Sequence, residues 1–197
     1  MKHRVITVSR EFCSRGSEIA SLAAAELRIP CHDSDIIDKL AESTGFARDF
    51  IAENGEYAVY RSRLFELITA RDFTGQSAQD RLYAAQADLL RQFADEGSCV
   101  IVGRCAEYVL RDRCDLLRVF VRADMASRIE RLAEKNIDAG DSPEQYLKDR
   151  DARRKAYYYA HTDIEWGAGA NYDITLNSSL FGAETCAGVI AKLYRKL

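Results

Sequence analysis

Residues 5–27 read VITVSREFCSRGSEIASLAAAEL. The β-branched run Val5-Ile-Thr-Val8 is short and sharply bounded, the mark of a buried strand rather than of a helix. A polar stretch from Ser9 to Ser17 follows, and then Ile19, Leu22, Ala23 and Leu27 recur at helical spacing as one apolar face. Ser17 is placed to cap that helix, and Glu18 lies in its first turn, where the helix dipole favours an anion. Strand, polar loop and helix in this order form the opening half of a βαβ unit.

Outward from this segment the alternation continues. Ile29-Pro30-Cys31-His32 reads as a second short strand, confined by Pro30 to a strand start or a sheet edge because proline cannot donate to a ladder. Residues 36–50 and 57–93 have a mainly helical pattern, interrupted near Gly75, with Leu82, Ala85, Leu89, Leu90 and Phe93 on one face. Cys99-Val-Ile-Val102 and Leu117-Arg-Val-Phe-Val121 read as central parallel strands, each leading into a helical stretch. Ser142-Pro143-Glu144-Gln145 predicts a helix start, with Ser142 as cap, Pro143 at the first position and Gln145 at the capping-box position. A last strand around Ile174-Thr-Leu176 precedes a terminal helix that buries Val189, Ile190 and Leu193. The expected architecture is one α/β domain over residues 1–197: a five-stranded parallel sheet with helices on both faces and a helical insertion at about 36–96.

With 47% hydrophobic and 30% charged residues among 197, the chain has the balance of a globular protein. The only early apolar run is four residues long, too short for a signal peptide or a membrane span, so a cytoplasmic protein with no membrane partner is expected. A net charge of −3 argues against nucleic acid as a partner. Arginine and lysine nevertheless gather between Arg111 and Lys155, which suits a local site for a small phosphorylated ligand. The six cysteines, at 13, 31, 99, 105, 114 and 186, form no C-x-x-C pair and read as free, buried thiols rather than zinc ligands.

In an open parallel sheet, ligands sit beyond the carboxyl ends of the strands. The Ser9–Ser17 loop is therefore where the amides opening a helix can hold a phosphate. A Walker loop, G-x-x-x-x-G-K-[ST], wraps phosphates with glycines, neutralises them with lysine and reaches magnesium with a hydroxyl. Here one glycine and no lysine are present; Arg15 supplies a positive charge, and Glu18, near the place of the hydroxyl, is a candidate magnesium ligand. The alternative is an ordinary polar loop in which Glu18 serves the dipole. Gly103-Arg104 ends a central strand, where a guanidinium can bond two phosphate oxygens or simply pair with a surface carboxylate. Asp33 and Ser34 can orient an acceptor or hold magnesium through water, or Asp33 can cap the helix that follows. Arg128 and Arg131, and likewise Arg150 and Arg153, are spaced to share a helix face; by charge pattern alone they pair with Glu130, Glu134, Asp149 and Asp151 on a solvated surface. His3, His32 and His161 show no partner pattern, and Tyr157-Tyr158-Tyr159 with Trp166 read as packing residues.

The stretch VITVSREFCSRGSEIASLAAAELRIPCHDSDII, together with Cys99-Val-Ile-Val-Gly-Arg-Cys-Ala-Glu-Tyr-Val-Leu110 and Asn171-Tyr-Asp-Ile-Thr-Leu-Asn-Ser-Ser179, resembles the cytidylate kinase-like family, a branch of the P-loop nucleoside monophosphate kinases. The resemblance implies a three-layer P-loop kinase-like fold with a helical lid at about 125–160, an ATP- and Mg2+-dependent phosphotransferase, nucleotide substrates, and compatibility with a homo-oligomer. It implies donor contacts from Cys13, Ser14, Arg15, Gly16, Ser17, Glu18, Arg131 and Arg154, with Glu18 at the metal. Acceptor contacts would come from Asp33, Ser34 and Arg104, and assistance to transfer from Arg15, Asp33, Arg128, Arg150 and Arg153. The family's G-S-G-G-R-E run is replaced by Cys13-Ser-Arg-Gly-Ser-Glu18, and Cβ atoms at Cys13 and Arg15 are expected to resist positive φ. Cys105 stands where an aspartate follows the arginine in cytidylate kinases. These departures keep two rivals open: a phospholigand-binding protein that retained the scaffold without transfer activity, and a purely structural oligomerisation module.

Overall fold

The computed structural model describes residues 3–56 and 77–197. The expected helical stretch at 57–76, with its break at Gly75, lies outside the described residues. In chain order the elements are β1 (Arg4–Arg10), α1 (Gly16–Leu27), β2 (Cys31–His32), α2 (Asp35–Thr44), α3 (Arg48–Asn54), α4 (Ala78–Glu96), β3 (Cys99–Val102), α5 (Ala106–Val109), β4 (Asp115–Arg122), α6 (Met125–Glu134), α7 (Pro143–Thr162), a 3-10 turn (Gly169–Asn171), β5 (Ile174–Asn177) and α8 (Ser178–Tyr194).

All five strands run parallel, in the order β2-β3-β1-β4-β5. β2 is an edge strand that begins just after Pro30, consistent with the strand start or edge expected there, and the Pro30 carbonyl accepts from the Val100 amide of β3 at 2.8 Å. Side chains alternate across the sheet. Ile6, Val8, Val100 and Val102 face α1 and α8, whereas Val5, Cys99 and Ile101 face α2, α3 and α4. The α1–α8 layer is rich in alanine (Ala20, Ala23, Ala183, Ala187), which lets both helices lie close to the sheet.

Several local expectations are corrected. Leu22 and Leu193 are more than a third exposed, because the buried stripes run through Ile19-Ala20-Ala23 and Ala183-Ala187-Ile190, and each leucine lies to one side. Helix α1 starts at Gly16 rather than behind a Ser17 cap, since Arg15, in a left-handed conformation, already occupies the capping position. Ser142 does precede Pro143, but its side chain accepts no capping bond and Gln145 donates to Asp149 instead. Four cysteines are buried and two half-buried; all six are free.

The topology fixes where a ligand can sit. β1 and β3 are neighbours, yet the chain leaves β1 toward β2 on one side and leaves β3 toward β4 on the other. A crevice therefore opens between their carboxyl ends, at Arg10 and Val102, and the turns that follow these strands form its walls.

Candidate active site

The turn after β1 takes a shape that glycine ordinarily supplies. Cys13 and Arg15 have φ of 62° and 63°, so the expectation that their Cβ atoms would resist this conformation is corrected. Buried contacts hold the shape in place. The Ser14 side chain, 1% exposed, turns inward: its hydroxyl lies 2.9 Å from the Glu11 carbonyl and 3.1 Å from that of Val121, and Ser178 donates to the Ser14 carbonyl at 2.7 Å. Phe12 is clamped at both ends of its backbone. Its amide donates to Asp151 at 2.8 Å, and its carbonyl accepts from Arg128 Nε at 2.8 Å, while Arg128 and Asp151 pair directly.

Arg128 thus has one of the carboxylate partners expected for it, but it is 4% exposed and pinned beneath the loop rather than spread on a solvated face. Burial pushes the Glu11 carboxyl above its ordinary range, opposed by the Ala123 amide and by Arg128. Above this buried base, helix α1 carries no side-chain cap, and the first-turn amides of Gly16, Ser17 and Glu18 have no partner within the helix.

A ring of four alternating charges stands at the mouth of the loop. Arg15 approaches Glu18 at 3.3 Å and Glu134 at 3.6 Å; Arg131 approaches Glu18 at 2.9 Å and Glu134 at 2.6 Å. The expected metal ligand, Glu18, is therefore shared between two arginines. Among the described residues, no group of three or more His, Cys, Asp or Glu side chains is placed to hold a metal ion.

Across the crevice the turn after β3 is left-handed at three consecutive residues, Gly103, Arg104 and Cys105. A Cβ on Gly103 would overlap the Glu56 carboxylate and the Arg10 guanidinium, so this turn needs glycine for closeness as well as for φ. Gly16 is hemmed in similarly, by the Arg10 stem. Between the two turns lies a buried polar cluster. Arg10 binds the Glu56 carboxylate with both terminal nitrogens, Arg154 reaches the same carboxylate at 3.6 Å, and Arg154 also donates to the Arg10 carbonyl at 3.0 Å. Arg104 donates to Gln86 at 3.2 Å, and Gln86 lies 3.1 Å from the Tyr157 hydroxyl. Arg10, Arg104 and Arg154 are each under a tenth exposed. Deeper still, Ser9 donates to Glu107 at 3.0 Å, and burial pushes the Glu107 carboxyl above its ordinary range.

The other expected site residues are distributed unevenly. Asp33 points toward this cluster, 3.9 Å from Arg10, and is not the cap of α2; Ser34 holds that position and is exposed. Arg150 and Arg153 do not share a working face. Arg153 is exposed, whereas Arg150 and Arg154, four residues apart, both lie over the Phe12 ring, at 5.2 and 5.5 Å. The expected lid region comprises α6 and α7, and both helices touch the loop, through Arg128 and Asp151 respectively. Tyr157 and Tyr158 pack around Cys105, while Tyr159 is exposed. His32 stacks on Phe93 and bonds Asp35, and His161 stacks on Tyr83.

Arg10, Glu56, Gln86 and Glu107 were missed from sequence. The one available signal was that Arg10 ends a buried strand that opens onto a glycine-containing turn. Among the described residues no helix is long and apolar enough to cross a membrane.

Known structures share this architecture. An uncharacterized protein from Eubacterium ventriosum superposes with a TM-score of 0.70 at 22% identity, covering 98% of this chain and 99% of that one. Shikimate kinase from Acinetobacter baumannii, solved in complex with shikimate, gives 0.55 at 16% identity, with 100% and 94% covered. Shikimate kinase from Bacteroides thetaiotaomicron gives 0.56 at 11%, with 97% and 98% covered. At these identities the likeness establishes the fold alone, the parallel α/β architecture that the shikimate kinases share. A comparison with curated proteins gives no match. The sequence profile of the cytidylate kinase-like family matches residues 5–180, nearly the whole sheet and both turns, and the chain belongs to that family.

Proposed function

We propose that the chain transfers a phosphoryl group from ATP to a small acceptor that already carries an oxyanion, with nucleoside monophosphates of the cytidylate class as the first candidates. One observation carries this reading: an uncapped helix amino end and a buried arginine cluster face each other across one crevice, between adjacent parallel strands. The amides of Gly16, Ser17 and Glu18 suit the donor phosphates. Arg104, Arg10 and Arg154 suit the acceptor's anion, because planar guanidiniums bond two oxygens at once.

Phosphoryl transfer needs position and charge neutralisation more than a covalent catalyst, which is what such a set supplies. Magnesium, when bound with the nucleotide, neutralises the donor oxygens. The residues present fit an ion carried mainly by phosphates, since magnesium commonly takes only one or two protein carboxylates. Glu18 is the available carboxylate at the amino end of α1, once it releases Arg15 or Arg131.

The test is ADP release measured with ATP, magnesium and a panel of nucleoside monophosphates. Acceptor-dependent turnover is expected, with kcat/KM lowered about 100-fold in Arg104→Met, the loss of one charge-assisted contact to substrate. Absence of turnover with any acceptor in folded protein rejects the proposal. A second reading, phospholigand binding without transfer, is favoured by the neutralised charges at the loop mouth and the lack of a loop lysine. It predicts thermal stabilisation by nucleotides with no ADP release.

A further inference from the structure

We propose that Glu56 is an internal anion seated in the acceptor subsite, and that an incoming oxyanion, phosphate or carboxylate, must displace it from Arg10 and Arg154. This rests on the phosphotransferase reading above, and it moves Arg154 from the donor side, where the family resemblance puts it, to the acceptor side.

The geometry is that of a ligand held by its site. The Glu56 carboxylate is gripped by both terminal nitrogens of Arg10, with Nη2 to Oε2 at 3.0 Å, and Arg154 Nη2 stands 3.6 Å from the same Oε2. Two guanidiniums around two coplanar oxygens would hold a phosphate or a substrate carboxylate equally well. Gly103 leaves room for this carboxylate to lie against the backbone of the β3 turn. The cavity at this point, lined by Ser9, Glu56, Arg104, Arg154, Tyr158 and Trp166, holds only about 10 Å³, the room of a single water at most. Because Glu56 already engages both guanidiniums, an acceptor anion that uses Arg10 and Arg154 has to displace it.

Replacement is chemically reasonable because of where Glu56 sits in the chain. It lies two residues beyond the end of α3, and the preceding Gly55 amide closes that helix by donating to the Ile51 carbonyl at 2.7 Å. The carboxylate is thus at the end of a helix rather than within one, and exchanging it for a substrate oxyanion leaves both arginines with an anionic partner. The device raises selectivity: a ligand without a full anion cannot repay the broken pair.

The experiment uses the full chain and inorganic phosphate as the probe, at constant ionic strength. Phosphate affinity is read by calorimetry and by the rise in Tm. In Glu56→Gln the internal competitor is lost; phosphate should bind about tenfold tighter or more, and the lowered Tm of this variant should be restored by phosphate. Adding Arg10→Gln to Glu56→Gln should abolish that gain, while Asp95→Asn, which removes a surface carboxylate paired with Arg113, should leave phosphate affinity unchanged.

Phosphate affinity of Glu56→Gln within twofold of wild type, or a variant that stays unfolded with and without phosphate, makes the pair purely structural and overturns the proposal. A gain that survives in the double variant places phosphate elsewhere and also overturns it. If the gain appears as described but no acceptor is turned over by wild type, the subsite stands and the kinase reading falls. Turnover by wild type with no phosphate gain in Glu56→Gln does the reverse, keeping the kinase and removing the displaced carboxylate.

Discussion

Two turns leave adjacent inner strands at the carboxyl end of the sheet: Cys13 to Gly16 after β1, and Gly103 to Cys105 after β3. Both place non-glycine residues at positive φ, and both lead into a helix whose capping residue is left-handed. Their charges differ in setting. The first turn is ringed by Arg15, Glu18, Arg131 and Glu134, all at least a fifth exposed, whereas the second stands over Arg10, Glu56 and Arg154, all nearly buried. Charges in water exchange partners at little cost, but desolvated charges are bound to the partners the fold supplies. The outer ring can open for a ligand without threatening the fold. The inner cluster can change partner only by accepting another anion in exchange.

The largest expected effect tests this contrast directly. Arg10→Met takes the two-pronged partner from the buried Glu56 carboxylate, leaving it the longer Arg154 contact, and should cost about 3 kcal/mol of unfolding free energy. Arg15→Met breaks two half-exposed pairs and should cost under about 1 kcal/mol. Urea denaturation of both variants gives the comparison. Equal costs would mean that Glu56 finds water or another cation, and that the inner cluster is no more committed than the outer ring.

A smaller effect comes from Glu107, on the helix after the second turn. Burial raises its pKa above the ordinary 4.5, with the Ser9 and Tyr158 hydrogen bonds and Arg10 acting in the opposite direction. A carboxyl with a raised folded-state pKa binds its proton more tightly in the native protein. Its contribution is therefore complete below about pH 4.5 and is lost as pH rises through the folded value. Relative to Glu107→Gln, which has no proton to lose, wild type should weaken steadily from about pH 4.5 upward. The loss is about 1.4 kcal/mol for each tenfold increase in native proton affinity. Tm measured against pH for the two proteins is the test, and parallel curves would show that the network holds Glu107 ionised at no cost.

The fold was legible because its signals are local. Val5–Val8 and Cys99–Val102 declare buried strands by composition, Pro30 restricts its strand to a start or an edge, and the alternation with helices declares a parallel sheet. Gly103-Arg104 was legible for the same reason, as a glycine and an arginine at a strand end. The inner cluster was not. Arg10 meets Glu56 46 residues away, and Ser9 meets Glu107 across 98, and nothing in a sequence separates a buried arginine from the solvated ones around it. Arg153 and Arg154 make the point most simply. They are adjacent and chemically identical, yet one faces water and the other the crevice, because α7 presents only every third or fourth residue to the loop. The shape of the first turn was misread because the expectation relied on glycine to make it, while buried bonds from Ser14, Ser178 and Arg128 hold Cys13 and Arg15 in that shape instead.

That last point gives the smallest and most discriminating prediction. A left-handed non-glycine residue costs roughly 1–2 kcal/mol, and glycine removes this cost while adding about 0.4–1 kcal/mol of unfolded-chain entropy. Cys13 is half-buried, so little packing is lost with its thiol, and Cys13→Gly should stabilise the protein by about 0.5–1 kcal/mol. Cys13→Ala keeps the Cβ and should gain nothing. Cys105 also has a positive φ, 54°, but is 3% exposed and packed among Tyr157 and Tyr158, so Cys105→Gly exchanges relief of φ for a void and should destabilise. Opposite signs at two residues with similar positive φ would show that the first turn is strained at its surface and the second is held by its core. Equal gains from Cys13→Gly and Cys13→Ala would instead trace the effect to the thiol, whose pKa burial already raises, and would leave backbone strain without a role.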